Sequence, residues 1–274
     1  MLLKGYCFLG DSVSAEFALV ENCSQLFRIT KINLPSYNST MNVKKKIVVF
    51  SGAGMSAESG ISTFRDANGL WENHRIEEVA TPEGWRKNPD LVLEFYNQRR
   101  RQLFTVEPNH GHLSLVELEK AFDVTVVTQN VDDLHERAGS SNVLHLHGSL
   151  LSACSSVDKS VRQFWDRDIC IGDLGVDGAQ LRPDIVWFGE AVVEMERAKE
   201  VISEVDFLIV VGSSMQVYPA AGLVSYAPEH ASIWYVDPKP AINYELSRLA
   251  NLKVVPSTAV EGLPPLVSQL LNMV

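Results

Sequence analysis

The stretch VVFSGAGMSAESG, residues 48–60, decides how the rest of the chain is read. Val48, Val49 and Phe50 have the apolar, partly β-branched character of a buried strand. Gly52-Ala53-Gly54 then requires a tight turn, and Met55 to Ser59 is placed to open a helix. Gly52, Gly54 and Ala57 fit the G-x-G-x-x-G/A pattern, in which glycines let backbone approach a pyrophosphate and the amides of the turn supply anion donors. A turn of small residues is equally an ordinary packing device, so the stretch alone leaves nucleotide binding open.

Working outward, strands and helices alternate. Lys46–Ser51, Val124–Thr128, Asn142–His147, Phe207–Val211 and Ser232–Val236 read as strands. Asp90–Phe104, with Leu91, Phe95 and Leu103 on one face, and Asn109–Phe122 read as helices. A last helix runs from about Pro264 to Asn272, with proline near its start. This alternation predicts an α/β fold with a doubly wound parallel sheet, whose ligands sit beyond the carboxyl ends of the strands. Residues 67–103 and 149–182 break the rhythm and are read as a smaller domain over the sheet. The Rossmann-like large domain then comprises about residues 44–66, 104–148 and 183–274. Residues 1–43 have no clear hydrophobic period, and their charges and short apolar stretches fit neither a transit peptide nor a secretory signal. MNVKKKIVVFSGAG reads like a natural start at Met41, so the preceding segment is expected to be poorly ordered or an over-extended start. A regulatory arm or an added edge strand is the alternative.

Composition narrows the function classes. The net charge of −10 argues against a general nucleic-acid binder, because a phosphate backbone wants clustered Lys and Arg. It suits small molecules or cationic, lysine-bearing partners. No apolar run reaches the roughly 18 residues that span a membrane. The cysteines at 7, 23, 154 and 170 contain no C-x-x-C, which is neither a disulfide framework nor a zinc site, and a reducing cytoplasm is the simplest compartment.

The residues after the glycine turn depart from a dehydrogenase. A hydride-transferring enzyme runs a full helix and then a second strand with an acidic residue for the ribose. Here the loop ISTFRDANGLW intervenes, carrying Phe64, Arg65 and Asp66. Two strand ends also carry polar clusters. VTVVTQ runs into Gln129, Asn130, Asp132 and His135, and NVLHLHG ends in His145, His147 and Gly148. Strand alternation puts His145 and His147 on one face. A histidine and an Asn-x-Asp at carboxyl ends lie on the rim where such sheets bind ligands.

At this point GAGMSAESGISTFR, TQNVDDLHERAG, HLHGS, RPDIVWFGE and GSSMQVYPAA, in this order, resemble the sirtuins, the NAD-dependent protein-lysine deacylases. The likeness spans roughly residues 44–270. It implies that Gly52, Ala53, Gly54 and Ser56 cradle the NAD phosphates, while Ala57, Phe64 and Arg65 line a flexible cofactor loop. Gln129 would bind the nicotinamide ribose, and Asn130 and Asp132 the nicotinamide. His147 would be the general base, activating a ribose hydroxyl after the acyl oxygen has displaced nicotinamide. Val186, Phe188, Gly189 and Glu190 would form the acyl-lysine tunnel and pair with a peptide backbone. Gly212, Ser213, Ser214 and Val217 would complete the nucleotide site, with Asp237 in place of the family's usual asparagine.

The chain departs from the family between residues 149 and 182. Most sirtuins hold a structural zinc there with two C-x-x-C pairs, whereas this segment has Cys154 and Cys170 only. No metal is therefore expected, and Val161, Phe164, Trp165 and Ile169 are the residues expected to hold the small domain by packing. Ala80, Tyr96 and Arg99 resemble the subgroup that removes succinyl and malonyl groups. Tyr96 and Arg99, three apart on a helix, aim at one pocket, where Arg99 would take a distal carboxylate. The expected substrates are acylated-lysine proteins or peptides, with deacetylation kept as a second activity. Two alternatives use the same pocket: an ADP-ribosyltransferase or NAD glycohydrolase, and a module that senses NAD without turnover. The IVWFGE motif and His147 favour the deacylase. Oligomeric state is not legible.

Overall fold

The buried run Ile47–Phe50 needs apolar cover on both faces, and the fold supplies it. The structure, a computed structural model, describes residues 44–63, 70–71 and 74–273, together with two short strands, Lys4–Gly5 and Phe17–Ala18, that pair antiparallel. The expectations for residues 1–43 as a whole, and for Phe64 and Arg65, lie outside the described residues.

Along the chain, β1 (Lys46–Ser51), β2 (Asp123–Thr128) and β3 (Val143–His145) precede β4 (Gly148–Ser155), β5 (Arg162–Phe164) and β6 (Leu181–Ile185). Then come β7 (Phe207–Val211), β8 (Ser232–Val236) and β9 (Leu252–Val255). The six strands β9-β8-β7-β1-β2-β3, in that order, form one parallel sheet. Order runs outward in both directions from the β7/β1 pair, the reversal at which doubly wound sheets bind ligands. The α/β, doubly wound expectation therefore holds.

Strand alternation divides the core in two. Ile47 and Val49 of β1, Ile209 of β7 and Trp234 of β8 pack with Leu115, Leu118, Leu263 and Leu270. These come from helices α4 (His110–Leu118) and α8 (Ala259–Leu271), named in chain order after α1 (Ile76–Val79), α2 (Pro82–Lys87), α3 (Pro89–Leu103), α5 (Leu134–Ala138), α6 (Met195–Ser203) and α7 (Tyr244–Ser247). Val48, Phe50, Leu208 and Tyr235 face the other way, onto Ala198 and Ile202 of α6 and Leu246 of α7.

Two helix expectations are corrected. Met55–Ser59 forms short 3-10 turns, Ala53–Met55 and Ala57–Ser59, stopped by Gly60 at φ 99°. Pro264 and Pro265 lie inside α8, not at its start, because Thr258 caps Glu261 and sets the first turn earlier. The Asn142–His147 strand ends at His145, since Gly148 turns the chain into β4 with φ 86°.

The antiparallel sheet β6-β4-β5 and helices α1 to α3 build a second apolar centre around Phe95, Tyr96, Leu150 and Trp187, with Leu93, Trp165, Ile169 and Leu181 beside it. Of the four residues expected to hold this part, Trp165 and Ile169 are buried and Val161 is half-buried. Phe164 is 72% exposed, because the alternation of edge strand β5 turns it outward. A polar staple contributes instead. Buried Asn97 donates to the Ile169 carbonyl and accepts from its amide, each at 2.9 Å, as a neighbouring strand would. Arg100, beside it on α3, donates to the Leu150 carbonyl and to Asn97. Cys154 is buried on β4 and Cys170 is exposed. Among the described residues no group of three or more His, Cys, Asp or Glu is placed to hold a metal. No described helix is long and apolar enough to cross a membrane.

Replacing Asn97 with leucine would strand a buried amide and a buried carbonyl. A loss of about 3 kcal/mol is expected, read as a melting temperature lower by roughly 10 °C in calorimetry.

Candidate active site

The loops that leave β1 and β7 meet at the reversal of strand order, and they meet backbone to backbone. The Gly52 amide donates to the Val211 carbonyl at 3.0 Å, and the Gly54 amide to the Gly212 carbonyl at 2.8 Å. A Cβ on Gly54 would lie 2.7 Å from Gly212 Cα, and one on Gly212, at φ 59°, would lie 2.3 Å from the Met55 nitrogen. The glycines therefore serve loop-to-loop contact first. The following amides, Met55 and Ser56, are likewise engaged by the Gly52 and Ala53 carbonyls, so four amides of this turn serve the fold itself.

Above this junction opens a cleft of about 690 Å³. That is the size of a ligand pocket and not of a packing void. Every predicted position among the described residues lines it, from Gly52, Ala53, Gly54, Ser56 and Ala57 through Gly212, Ser213, Ser214, Val217 and Asp237.

One wall is a connected polar lattice. In register, Ser51 of β1 stands beside Thr128 of β2, and their hydroxyls bond at 2.8 Å. Thr128 Oγ1 also accepts from the Asn130 amide, which fixes the turn after β2. The Asn130 side chain donates to Ser56 Oγ at 3.1 Å, and Ser56 donates to Asp132 Oδ2 at 2.9 Å. Burial pushes the Asp132 carboxyl up to about 6, against the Leu134 amide and the Ser56 hydroxyl, which pull it down. Gln129 accepts from Ser213 Oγ at 2.8 Å, so a side chain on β2's loop reaches one on β7's loop.

The two histidines of HLHG both reach carbonyls of the loop after β2, and of the two His147 lines the cleft. His147 Nδ1 lies 3.0 Å from the Gln129 carbonyl, which accepts a hydrogen bond from Nδ1–H and leaves the neutral ring's lone pair on Nε2. Burial lowers the His147 pKa below the ordinary imidazole value, with the Gln129 carbonyl opposing, so the ring is neutral and basic near pH 7.

Another part of the lining carries the positions expected to bind substrate. Ala80 accepts from the Phe188 amide, and the Val186 amide donates to the His147 carbonyl at 2.9 Å. These bonds tie the IVWFGE segment to both α1's end and the histidine. Tyr96 is fully buried, and its hydroxyl accepts from Trp187 Nε1 at 3.1 Å. The Arg99 guanidinium lies 3.3 Å over the Phe95 ring and donates to the Phe95 carbonyl. Gly189 stands at φ 88° beside Phe188, which is partly exposed at the mouth. The Glu190 carboxylate is engaged inside the wall by Arg182, Lys159 and the Trp187 amide. Burial would raise its pKa, but these partners outweigh it and hold it below the usual range.

Several lining residues escaped the sequence reading: Ile61, Gln102, Trp187, Lys239 and Thr258. Beneath the lining, the buried His135 of the sequence's polar cluster is hydrogen-bonded to Ser51 through Nε2 at 2.9 Å. Trp187 sat inside a recognised motif and was legible. The others come from the end of α3 and from separate loops, with no local pattern.

Comparison with known proteins fits this geometry. Residues 52–219 match the Sir2 family. The chain is 55% identical over 229 residues to an NAD-dependent protein deacylase of Helicobacter pylori strain J99, covering 84% of this chain and 97% of that protein. It is similar to a crystallised Sir2 homolog–NAD complex, at 36% identity and a TM-score of 0.72, covering 84% of this chain and 91% of that one. It is similar also to a Sir2 protein solved with p53 peptide and NAD+, at 26% identity and a TM-score of 0.66, covering 84% and 95%. The chain belongs to the Sir2 family.

Proposed function

We propose that the cleft catalyses the NAD-dependent removal of acyl groups, succinyl and malonyl as well as acetyl, from lysine side chains of proteins or peptides. The observation that carries this reading is His147. It is a neutral histidine on the cleft wall whose Nδ1 is committed to the Gln129 carbonyl, so that Nε2 holds the base. A hydride-transferring enzyme has no use for a base in that place. An enzyme that splits the nicotinamide–ribose bond does, because a ribose hydroxyl must afterwards be activated.

The chain's groups fit NAD. Asn130, Asp132 and Ser56 form a buried set of donors and acceptors that suits a carboxamide. The loops Gly52–Ser56 and Gly212–Ser214 lie where dinucleotides bind in doubly wound sheets. Bound NAD supplies a glycosidic bond with nicotinamide as the leaving group. His147 Nε2 would take a proton from a ribose hydroxyl, Gln129 and Ser213 would orient that ribose, and Asp237 would accept from a ribose hydroxyl. Val186, Phe188 and Gly189 guide an acyl-lysine and pair with its peptide backbone. Glu190 belongs to this wall through its ion pairs. Arg99 takes a distal carboxylate of the acyl chain, and Tyr96 adds its hydroxyl. The module at residues 67–103 and 149–182 holds without zinc through Asn97, Arg100 and its apolar centre, in keeping with a reducing cytoplasm. An ADP-ribosyltransferase or NAD glycohydrolase is the second reading, since NAD would be split in the same pocket.

Four outcomes are expected. His147→Ala should lower deacylation about a thousandfold while NAD binding by calorimetry persists. The wild-type acid limb should fall below pH 6.5, because a base held below its ordinary pKa gains its proton only at lower pH. Continued NAD splitting without deacylation would favour the second reading. Arg99→Met should lower kcat/KM for a succinyl-lysine peptide roughly 10- to 100-fold, with an acetyl-lysine peptide affected far less; equal losses would remove the acyl preference. Chelators should change neither activity nor melting temperature, and activity restored by added zinc would overturn the zinc-free reading.

A further inference from the structure

His145 stands between two groups that can only accept. Its Nδ1 lies 3.0 Å from the Asn130 carbonyl, and its Nε2 lies 2.7 Å from Glu136 Oε1. A neutral imidazole has one N–H, so it satisfies one of these partners and turns a lone pair on the other. Both bonds together require the imidazolium. His147, two residues later, makes the same Nδ1 bond to the preceding carbonyl, Gln129, and among the described residues no carboxylate pairs with it as Glu136 pairs with His145. One strand end thus presents two histidines, which grip consecutive carbonyls of the loop that carries Gln129, Asn130 and Asp132.

We propose that His145 is a positioning residue of this site: a protonated clamp that holds Asn130 through its main chain and sets the alkaline limit of NAD binding. The proposal rests on the reading that Asn130 holds NAD.

The surroundings agree. Burial opposes the charge on His145, but Glu136 first, then the Asn130 carbonyl and Asp132, outweigh it and hold the pKa above 6.5. The other titratable groups near it are Asp133, on the loop before α5, and His135 on α5. Burial keeps His135 neutral, with His112 and His145 adding to that effect. Arg137, the cation on α5, is engaged by Glu107 and faces Asp133, so it leaves Glu136 to His145.

A pKa raised by folding marks a contribution that is whole at and below the ordinary value and is lost as pH rises through the folded one. When His145 loses its proton, either the Glu136 or the Asn130 bond must break. Asn130's side chain reaches Ser56, and Ser56 reaches Asp132, so the loosening passes directly into the polar lattice of the cleft. Glu136→Gln removes the need for charge. The new amide can donate to Nε2 of a neutral ring while Nδ1–H still holds the Asn130 carbonyl, and the clamp becomes independent of pH.

The test compares wild type, His145→Gln and Glu136→Gln in two measurements that need no deacylation. These are histidine-ring NMR titration of the ligand-free protein, and NAD binding by calorimetry between pH 6 and 9.5. The wild type should show one histidine titrating above 6.5 that disappears in His145→Gln and moves down in Glu136→Gln. Its NAD affinity should weaken about tenfold at the alkaline end, stay flat in Glu136→Gln, and be weak already at neutral pH in His145→Gln. NAD binding with the same alkaline loss in Glu136→Gln, or no histidine above 6.5, overturns the clamp and leaves the deacylase reading standing. The expected titration with no NAD binding at any pH overturns the NAD reading, and with it the role given to His145.

Discussion

Everything in the cleft depends on two loops that touch without side chains. At the reversal of strand order, Gly54 and Gly212 approach until neither has space for a Cβ, and Gly212 takes a left-handed φ to do so. That contact fixes where the β1 turn ends, hence where Ser56 stands. Ser56 in turn joins Asn130 to Asp132. A methyl group at either glycine would separate the two halves of the sheet where their carboxyl ends must form one rim. The contact is steric and has no polar substitute.

From that rim the site is assembled by short hydrogen bonds between neighbouring strand ends, not by long side chains. Ser51 to Thr128, Thr128 to the Asn130 amide, and His145 and His147 to two adjacent carbonyls all run between consecutive strands of one sheet. Parallel register makes this possible, because it brings the last residues of β1 and β2 level. The low dielectric of the same region then separates the two histidines. Burial lowers both pKa values, but the carboxylate of Glu136 outweighs it at His145 and raises that one, whereas at His147 burial prevails. Identical residues two positions apart thus carry opposite duties, as their environments dictate.

The second module shows how packing and polar staples share the stabilisation. Trp165 and Ile169 are buried as their apolar character suggests, yet Phe164 faces outward on an edge strand. Asn97 and Arg100 bridge α3 to the loop at Ile169 and to β4 at Leu150 through main-chain atoms. Because α3 also carries Tyr96 and Arg99, the residues that hold the module hold the substrate wall in place.

How much of this was legible follows from the range of each interaction. The strand run before Gly52, the alternating segments and the polar strand ends were readable, because periodicity and turn chemistry act within a few residues. They suffice for a doubly wound sheet, a cleft at its carboxyl edge, and His147 and Asn130 on the rim. The start of α8 was missed because two prolines suggest a helix beginning, whereas Thr258 had already capped the turn before them. Phe164 was misjudged because hydrophobicity does not say which face of an edge strand is covered. The commitment of the Gly52 and Gly54 amides to Val211 and Gly212, the staple from Asn97 to Ile169, and the charge on His145 each depend on partners far along the chain or on a neighbouring element. By itself the sequence determined which elements form and which chemical groups reach the rim. Only the tertiary structure decided which of those groups are charged, which are engaged in the fold and which face the cleft, because each answer depends on distances between residues that the chain holds apart.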